Sequence, residues 1–279
     1  MASTLLLLED DPDLASLHAA PAADAVEAAV RRALPLFGTL LDTVPWPVLE
    51  RAAHVAERLV SPGFVTHYAL RKLGVRRALA AAVDAGARQV ILVGAGFDML
   101  SATVPKGVPV FEVDHPATQS YRGESEGVTL VPVDLATGSM LSALRRTPAF
   151  DATLPTVFVA EGLLMYLDEE RVHRVLGEIA SGPGARTLIL SIVTPDAAGR
   201  LRLHSQRRVV DWIMRFIDEP FLWGAAPNEL ERTLHRHGLV LKSVQTTMDL
   251  RDELLPVSAH RRLPRPSGEI IVVAEGLAA

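Results

Sequence analysis

In QVILVGAGFDML, residues 89–100, an apolar run leads directly into Gly94-Ala95-Gly96. An uninterrupted apolar run such as Val90–Val93 is typical of a strand buried on both faces of a parallel sheet. Two glycines after such a strand let a ligand approach the backbone at the carboxyl edge of the sheet. A tight turn without a ligand explains the same glycines about as well. The residues at the ends of the neighbouring strands are needed to distinguish a ligand site from a simple turn.

The rest of residues 88–279 alternates short apolar runs with helical segments. The further runs are VPVFEVDHP, VTLVPVDL, TVFVAEGL, RTLILSIV, LVLKSVQ and EIIVVAE. With the first run they predict an α/β fold, a Rossmann-like, doubly wound and mostly parallel seven-stranded sheet that ends in an antiparallel hairpin. Among the helices, DEERVHRVLGEIA is preceded by Asp168 as a predicted N-cap. In PNELERTLHRHG, Asn228 and Glu231 resemble a capping box, and Gly238 predicts the stop.

Two segments stand apart from this core. Residues 1–87 have apolar side chains at helical spacing, as in FVTHYALRKLGVRRALAAAVDAGA, and predict a helical N-terminal cap. Residues 195–227 interrupt the alternation and predict a cap or lid insertion. We expect Phe221 and Trp223 in the apolar wall of that lid, whereas Trp212 and Phe216 are more typical of the core of a cap helix.

Composition excludes several classes of protein. The formal net charge is -5 and no long basic block occurs, so we expect no nucleic-acid partner and no membrane partner. The absence of cysteine excludes disulfides and thiolate zinc sites. The leucine run at residues 5–8 is too short for a signal-peptide core, which predicts a cytoplasmic protein. The oligomeric state is left open, with a homodimer as one option.

Acidic residues follow the next three strands. Glu112 and Asp114 come about 20 residues after Gly94, the usual offset for an acid that binds ribose hydroxyls, and we favour Asp114. Asp134 could accept a hydrogen bond from a purine amine while Leu135 packs on the ring, although an N-cap role is equally compatible. Glu161 follows four apolar residues, and a carboxylate buried there needs a ligand or an arginine partner.

These strand ends favour one class of ligand. A dinucleotide fingerprint needs a small third residue where Met99 stands, and it needs phosphate donors where this chain has acids. Acids at three strand ends suit a cationic nucleoside, and S-adenosylmethionine fits that description. A nicotinamide-dependent oxidoreductase is the weaker alternative.

Four motifs, VILVGAGFDML, FEVDHPATQ, VDL and PTVFVAEGLLMYLDEE, occur in an order and spacing that resemble the leucine carboxyl methyltransferase family. That family includes the O-methyltransferases of bacterial polyketide biosynthesis. The resemblance implies S-adenosylmethionine as the cofactor and a set of binding roles along the chain. Gly94 and Gly96 would approach its methionine part, Asp114 would bind the ribose, Asp134 and Leu135 would frame the adenine, and Glu161 would lie beside the amino group. The segment LRKLGV resembles the one whose arginine binds the cofactor carboxylate, which selects Arg71.

The chain departs from the family pattern after the glycine turn. Members often have Asp-Thr-Arg where this chain has Asp98-Met99-Leu100, and Arg122 is a candidate for the basic residue that commonly follows the EVDHP segment. The departure keeps an alternative open. Such a protein would bind S-adenosylmethionine without transferring the methyl group, and would use the sulfonium electrostatically in a rearrangement or decarboxylation or act as a binding subunit.

Methyl transfer to oxygen sets the expected catalytic residues. A carboxylate acceptor needs no general base, whereas a phenol that is not already ionised does. His115 is the first candidate base, with His67 and His204 as weaker ones, and an ordinary structural histidine remains the competing interpretation of each. Tyr166 is expected to contact the acceptor or to pack against the following helix. The expected acceptor is a small hydrophobic, polyketide-type molecule, and no metal motif is present.

Overall fold

The computed structural model describes residues 62–96, 100–121, 126–181, 184–203, 220–255 and 268–276, and the single residues 43, 45, 48, 51 and 55. The helices are α1 (Phe64–Asp84), α2 (Pro116–Gln119), α3 (Met140–Arg145), α4 (Glu169–Ala180), α5 (Pro227–Arg236) and α6 (Thr247–Leu254). The strands are β1 (Gln89–Val93), β2 (Val110–Asp114), β3 (Val128–Pro132), β4 (Thr156–Ala160), β5 (Arg186–Val193), β6 (Leu239–Thr246) and β7 (Glu269–Gly276). Short 3-10 helices span Leu100–Thr103 and Leu164–Tyr166.

The strands form one sheet in the order β3-β2-β1-β4-β5-β7-β6. Strands β1 to β5 pair in parallel. All five residues of β1 and of β4 are buried, as expected for central strands covered on both faces. The sheet predicted from the apolar runs is confirmed, and it brings the carboxyl ends of β1, β2 and β4 to one edge.

Strand β7 is antiparallel to both of its neighbours, β5 and β6, so the predicted C-terminal hairpin is confirmed. Its direction has a consequence for the edge just described. Glu269, the first residue of β7, pairs with Val193, the last residue of β5. The start of β7 therefore lies where the parallel strands end.

Helices cover the sheet on both faces. One face packs against buried side chains of α3, α4 and α5, which include Val172, Leu176 and Leu230. The other packs against α1 and α6 through residues such as Leu70 and Leu250. No helix of the described part of the chain is long and apolar enough to cross a membrane.

The helix boundaries confirm two predictions and correct a third. Asp168 caps α4 by accepting from the backbone of Arg171, and Gly238 follows α5 with a φ of 72°. Helix α5 begins two residues earlier than predicted. Its N-cap is Ala226, because Pro227 is well suited to the first helical position. The carboxylate of Glu229 accepts from the Ala226 backbone N–H at 3.3 Å. Most of the predicted N-terminal cap, including PAADAVEAAVRRALPLF, lies outside the described residues.

Candidate functional site

A cavity of about 450 Å³ opens at the carboxyl edge of β1, β2 and β4. Six residues singled out in the sequence line it: Arg71, Gly94, Gly96, Asp114, Glu161 and Tyr166. Apolar side chains complete the lining, among them Leu100, Leu163 and Met165. A cavity of this size, largely apolar with a few convergent polar groups, is typical of a site for a small molecule or cofactor.

The glycine turn lines this cavity. Gly94 and Gly96 have φ angles of 68° and 54°, in the left-handed region that glycine adopts without strain. A Cβ on Gly94 would lie 2.7 Å from Cδ1 of Leu163, so the packing against Leu163 also requires a residue without a side chain at this position. At Gly96 the nearest described atom to such a Cβ is the Gly94 carbonyl oxygen at 4.0 Å, which leaves the backbone accessible. Asp98 and Met99 lie outside the described residues.

Asp114 is held in place by backbone donors at the end of β2. Its Oδ2 accepts from the N–H of Gly96, and its Oδ1 accepts from the N–H of His115 at 2.6 Å. The carboxylate therefore ties the glycine turn to the neighbouring strand. A carboxylate oxygen has lone pairs for more than one donor, so Asp114 can also accept from ribose hydroxyls. Glu112, the other candidate acid, is buried at 1% exposure.

A cluster of charged side chains, among them Arg71, Lys72 and Glu161, lines another part of the cavity. Glu161 Oε1 lies 2.9 Å from Nε of Arg71 and 2.9 Å from Nζ of Lys72. Nη1 of Arg71 donates to Glu269 at 3.2 Å. Burial lowers the pKa of Arg71, but the charges of Glu269 and Glu161 outweigh burial and raise that pKa above its ordinary value. The arginine is a permanent cation in the cavity lining.

The second oxygen of Glu161 has a different environment. Glu161 Oε2 is buried and has no hydrogen-bond partner among the described residues. A buried, ionised oxygen without a donor is costly, so its position beside the cavity indicates a missing donor from a ligand. The pair of Arg71 and Glu161 thus offers a cation for a carboxylate and an acceptor for an ammonium group.

Lys72 and Glu269 belong to this cluster and were not assigned to it from the sequence, whereas His67, a weaker candidate base, is found beside Glu269 and outside the described cavity lining. Lys72 lines the cavity next to Arg71. Glu269 and His67 are buried at 2% and 3% exposure, and Nε2 of His67 lies 2.6 Å from Oε2 of Glu269. This contact takes the imidazole of His67 away from the cavity lining. The antiparallel direction predicted for the last strand is the signal that could have placed Glu269 at this edge.

The remaining predicted site residues lie outside the described lining of the cavity. His115 is the N-cap of α2, and its Nδ1 accepts from the Ala117 N–H at 3.2 Å. Asp134 accepts from the Ala136 N–H and from the Thr137 hydroxyl, and these two bonds lower the pKa of its carboxyl. Leu135 packs against the core. Each of the three thus has a structural role in the protein alone, and their roles toward a ligand stay predictions.

Aromatic side chains stand beside the mouth of the cavity. Tyr166 lines it with 36% exposure, and its ring centroid lies 5.6 Å from that of Phe221. The Phe221 segment is attached here because the backbone N–H of Leu222 donates to the carbonyl of Met165 at 2.7 Å. Trp223, expected in a lid wall, instead packs in the core at 9% exposure. His204, Trp212, Phe216 and Arg122 lie outside the described residues.

Metal binding has no candidate site in the described part of the chain, where no group of three or more histidine or acidic side chains could hold an ion.

His237, at the end of α5, contacts α4 through His173. Its Nε2 is 2.7 Å from Nδ1 of His173, and the second nitrogen of His173 is 3.7 Å from Glu169.

Comparison with known proteins extends these observations. The family profile described as leucine carboxyl methyltransferase matches residues 39–180. A relative from Mycobacterium sp. (strain JLS), named "Putative S-adenosyl-L-methionine-dependent methyltransferase", is 34% identical over 130 residues, which are 42% of this chain and 42% of that protein. A second, from strain KMS and with the same name, is 29% identical over 147 residues, 49% of each. The matched part thus spans less than half of these relatives.

Solved structures show the same fold. A duf574 family protein from Streptomyces avermitilis has a TM-score of 0.54 at 14% identity, over 99% of this chain and 97% of that chain. An S-adenosylmethionine-dependent methyltransferase from Mesorhizobium loti has a TM-score of 0.50 at 17% identity, over 74% of this chain and 97% of that chain. At such identities the likeness concerns the Rossmann-like fold.

Proposed function

Because the chain belongs to the leucine carboxyl methyltransferase family, we propose that it is an S-adenosylmethionine-dependent O-methyltransferase. The acceptor we propose is a carboxylate or phenolic hydroxyl of a small hydrophobic, polyketide-type metabolite. One observation carries the proposal. A carboxylate suited to a ribose, Asp114, and an ion cluster suited to an amino acid, Arg71 with Glu161, line the same cavity.

The residues that line the cavity fit both the amino-acid part and the ribose of the cofactor. Its methionine part carries a carboxylate and an ammonium group, which match the cation of Arg71 and the unpartnered Oε2 of Glu161. Its ribose carries two hydroxyls, which match Asp114, and the open backbone at Gly96 leaves room for the cofactor to pass close to the glycine turn. Adenine binding by Asp134 and Leu135 is part of the proposal and depends on the family resemblance.

When bound, S-adenosylmethionine supplies a methyl group that its sulfonium already activates. The protein then has to align the acceptor oxygen and exclude water. The apolar residues Leu163 and Met165, together with Tyr166 beside Phe221, support a hydrophobic acceptor at the mouth of the cavity. Since the ring of His115 already caps α2, an acceptor that needs no general base, such as a carboxylate, fits these residues better than a neutral phenol.

Calorimetric titration with S-adenosylhomocysteine tests the cofactor site. We expect binding to the wild type and loss of binding in Asp114→Ala. The variant would lose the acceptor for the ribose hydroxyls and the hydrogen bond that joins Asp114 to the Gly96 backbone. Asp252→Ala, which removes a carboxylate with 60% exposure on α6, is the control and should bind like the wild type. If the wild type does not bind, the proposal fails.

Incubation with S-adenosylmethionine and a panel of acceptors tests the reaction. Release of S-adenosylhomocysteine in the presence of aromatic or polyketide-type acids supports the transferase. Efficient methylation of free amino acids but not of aromatic acids would contradict the acceptor class. Cofactor binding with no product from any acceptor would favour the alternative of a binding protein that does not transfer the methyl group.

A further inference from the structure

Glu269 is buried beside the cavity and contacts its principal cation. Both of its oxygens accept from Nη1 of Arg71, at 3.3 Å for Oε1 and 3.2 Å for Oε2. Nε2 of His67 lies 2.6 Å from Oε2, and the side chain of Ser191 on β5 also hydrogen-bonds this carboxylate. Glu269 itself is not among the residues that line the cavity. Any effect of Glu269 on a ligand must therefore act through Arg71.

We propose that Glu269, oriented by His67, is a positioning residue that sets the guanidinium of Arg71 for the carboxylate of the cofactor. This inference rests on the proposed function, because it assumes that Arg71 binds the methionine part of S-adenosylmethionine. The inference assigns a function to Glu269, at the start of the last strand, and to His67, although neither is among the described residues that line the cavity.

The geometry explains why Arg71 needs a second carboxylate. Glu161 contacts Arg71 only at Nε and shares the same oxygen with Lys72. A single contact of this kind leaves the planar guanidinium free to pivot about the Nε–H···Oε1 hydrogen bond. The contact between Glu269 and Nη1 fixes a second point of the plane. The guanidinium so held lies beside Gly162 in the cavity lining, where an added Cβ would be 3.7 Å from Nη2, 3.8 Å from Nη1 and 3.9 Å from Cζ.

His67 fixes the carboxylate in turn. A contact with an ionised carboxylate assigns the imidazole proton to Nε2. The other nitrogen, Nδ1, is buried and has no hydrogen-bond partner among the described residues. His67 therefore acts as a single donor to Glu269 Oε2, and it holds the carboxylate in the orientation in which both oxygens contact Nη1 of Arg71.

The charges of the cluster balance without a ligand. Arg71 and Lys72 carry two positive charges, and Glu161 and Glu269 carry two negative charges. Removal of the Glu269 charge would leave Arg71 and Lys72 to share the single charge of Glu161, and an uncompensated buried cation is costly. The guanidinium would then turn away from the position that suits a ligand carboxylate.

A comparison of two ligands tests this role without an activity assay. The ligands are S-adenosylhomocysteine and its decarboxylated analogue S-adenosyl-3-thiopropylamine, which lacks only the carboxylate. Calorimetry on the wild type should show a preference for S-adenosylhomocysteine. In Glu269→Gln we expect affinity for S-adenosylhomocysteine to fall by roughly 10- to 100-fold, the effect of losing a charged hydrogen bond, with little change for the analogue.

Two further variants keep the test decisive. Glu275→Gln removes a half-exposed carboxylate from the same strand, one that pairs with Lys242, and should leave both affinities unchanged. If Glu269→Gln does not fold, Glu269→Asp retains the charge and withdraws it by one methylene, and it should show a smaller loss confined to S-adenosylhomocysteine.

The outcomes separate this inference from the proposed function. Equal loss of both ligands, or an unchanged preference, in a folded Glu269 variant would overturn the positioning role and leave the methyltransferase proposal standing. A wild type with no preference between the ligands would overturn the role of Arg71 and this inference with it. A wild type that binds neither ligand would overturn the proposed function itself.

Discussion

Nε of Arg71 lies 2.9 Å from Oε1 of Glu161, although 90 positions separate the two residues in the chain. The contact joins helix α1 to the loop that follows β4, and both side chains line the cavity. Glu161 is nearly buried, with 5% of its side chain exposed, and Arg71 has 16% exposed. The pair therefore contributes both to the packing of α1 on the sheet and to the charge pattern of the cavity.

Glu161→Gln should destabilise the protein and weaken cofactor binding together. The change leaves Arg71 and Lys72 with one carboxylate fewer in a buried setting, and loss of one partner of a buried pair costs about 3 kcal/mol. Urea unfolding measures the first effect, and calorimetry with S-adenosylhomocysteine measures the second. Glu253→Gln is the control, because Glu253 pairs with Arg77 at 2.7 Å with about half of each side chain exposed, and its loss should cost less than about 1 kcal/mol. Equal destabilisation by both variants would contradict this prediction.

The sequence alone could predict that Gly94, Asp114 and Glu161 lie at one edge of the sheet, and the reason is physical. Strands buried on both faces must be apolar throughout, so a polar residue after such a run marks the place where the strand leaves the core. Parallel strands all leave it at the same edge, which brings these side chains together without any knowledge of the loops. The same reasoning predicted the sheet that the structure shows.

Glu269 could not be placed by that reasoning, because it stands at the beginning of its strand. Only the antiparallel pairing of β7 with β5 puts it beside the ends of the parallel strands. His67 lies on a helix and shows no local signal of its buried partner. For Asp134 and His115 the sequence left structural and functional roles open, since short turns and helix caps use the same side-chain oxygens and nitrogens that a ligand would.

Alanine at the two glycines of the turn should have different consequences. Either change places a side chain at a positive φ, at a cost of about 1–2 kcal/mol. Gly94→Ala adds a contact at 2.7 Å with Leu163, so we expect the larger loss of stability in urea unfolding. Gly96→Ala meets no described atom closer than 4.0 Å, and its methyl group should mainly reduce affinity for S-adenosylhomocysteine. A larger destabilisation at Gly96 than at Gly94 would contradict the packing seen here.

Acid should remove the stabilisation that Glu269 provides. Burial alone would raise the pKa of this carboxyl, but the charge of Arg71 and the hydrogen bond from His67 outweigh burial and lower the pKa from 4.5 to about 2. The folded state thus binds the proton less readily than the unfolded state, so the contribution is complete above pH 4.5 and disappears as the pH falls toward about 2. Unfolding free energies of the wild type and Glu269→Gln should differ most near about pH 6, and the difference should shrink steadily as the pH falls below 4.5 toward about 2. A difference that stays constant over this range would rule out the contribution.

The contact between His173 and His237 should make stability depend on pH in a second, higher range. Burial lowers the pKa of His237 below 6.5, and the charges of His173 and Arg236 lower it further. Gly177 of α4 lies under the ring, where a Cβ would be 3.6 Å from Nδ1, and Glu169 faces only the far nitrogen of His173. The unfolded chain therefore takes up a proton that the folded protein resists, and stability is lost as the pH falls below about 6.5.

Urea unfolding at about pH 7.5 and about pH 5.5 measures this effect, because the two values lie on either side of the ordinary histidine pKa. The wild type should lose stability between them, and His237→Gln should lose less, since glutamine does not titrate. His235→Gln, which changes an exposed histidine in the last turn of the same helix, should behave like the wild type. If His235→Gln and His237→Gln show the same pH dependence, the contact with His173 does not control it.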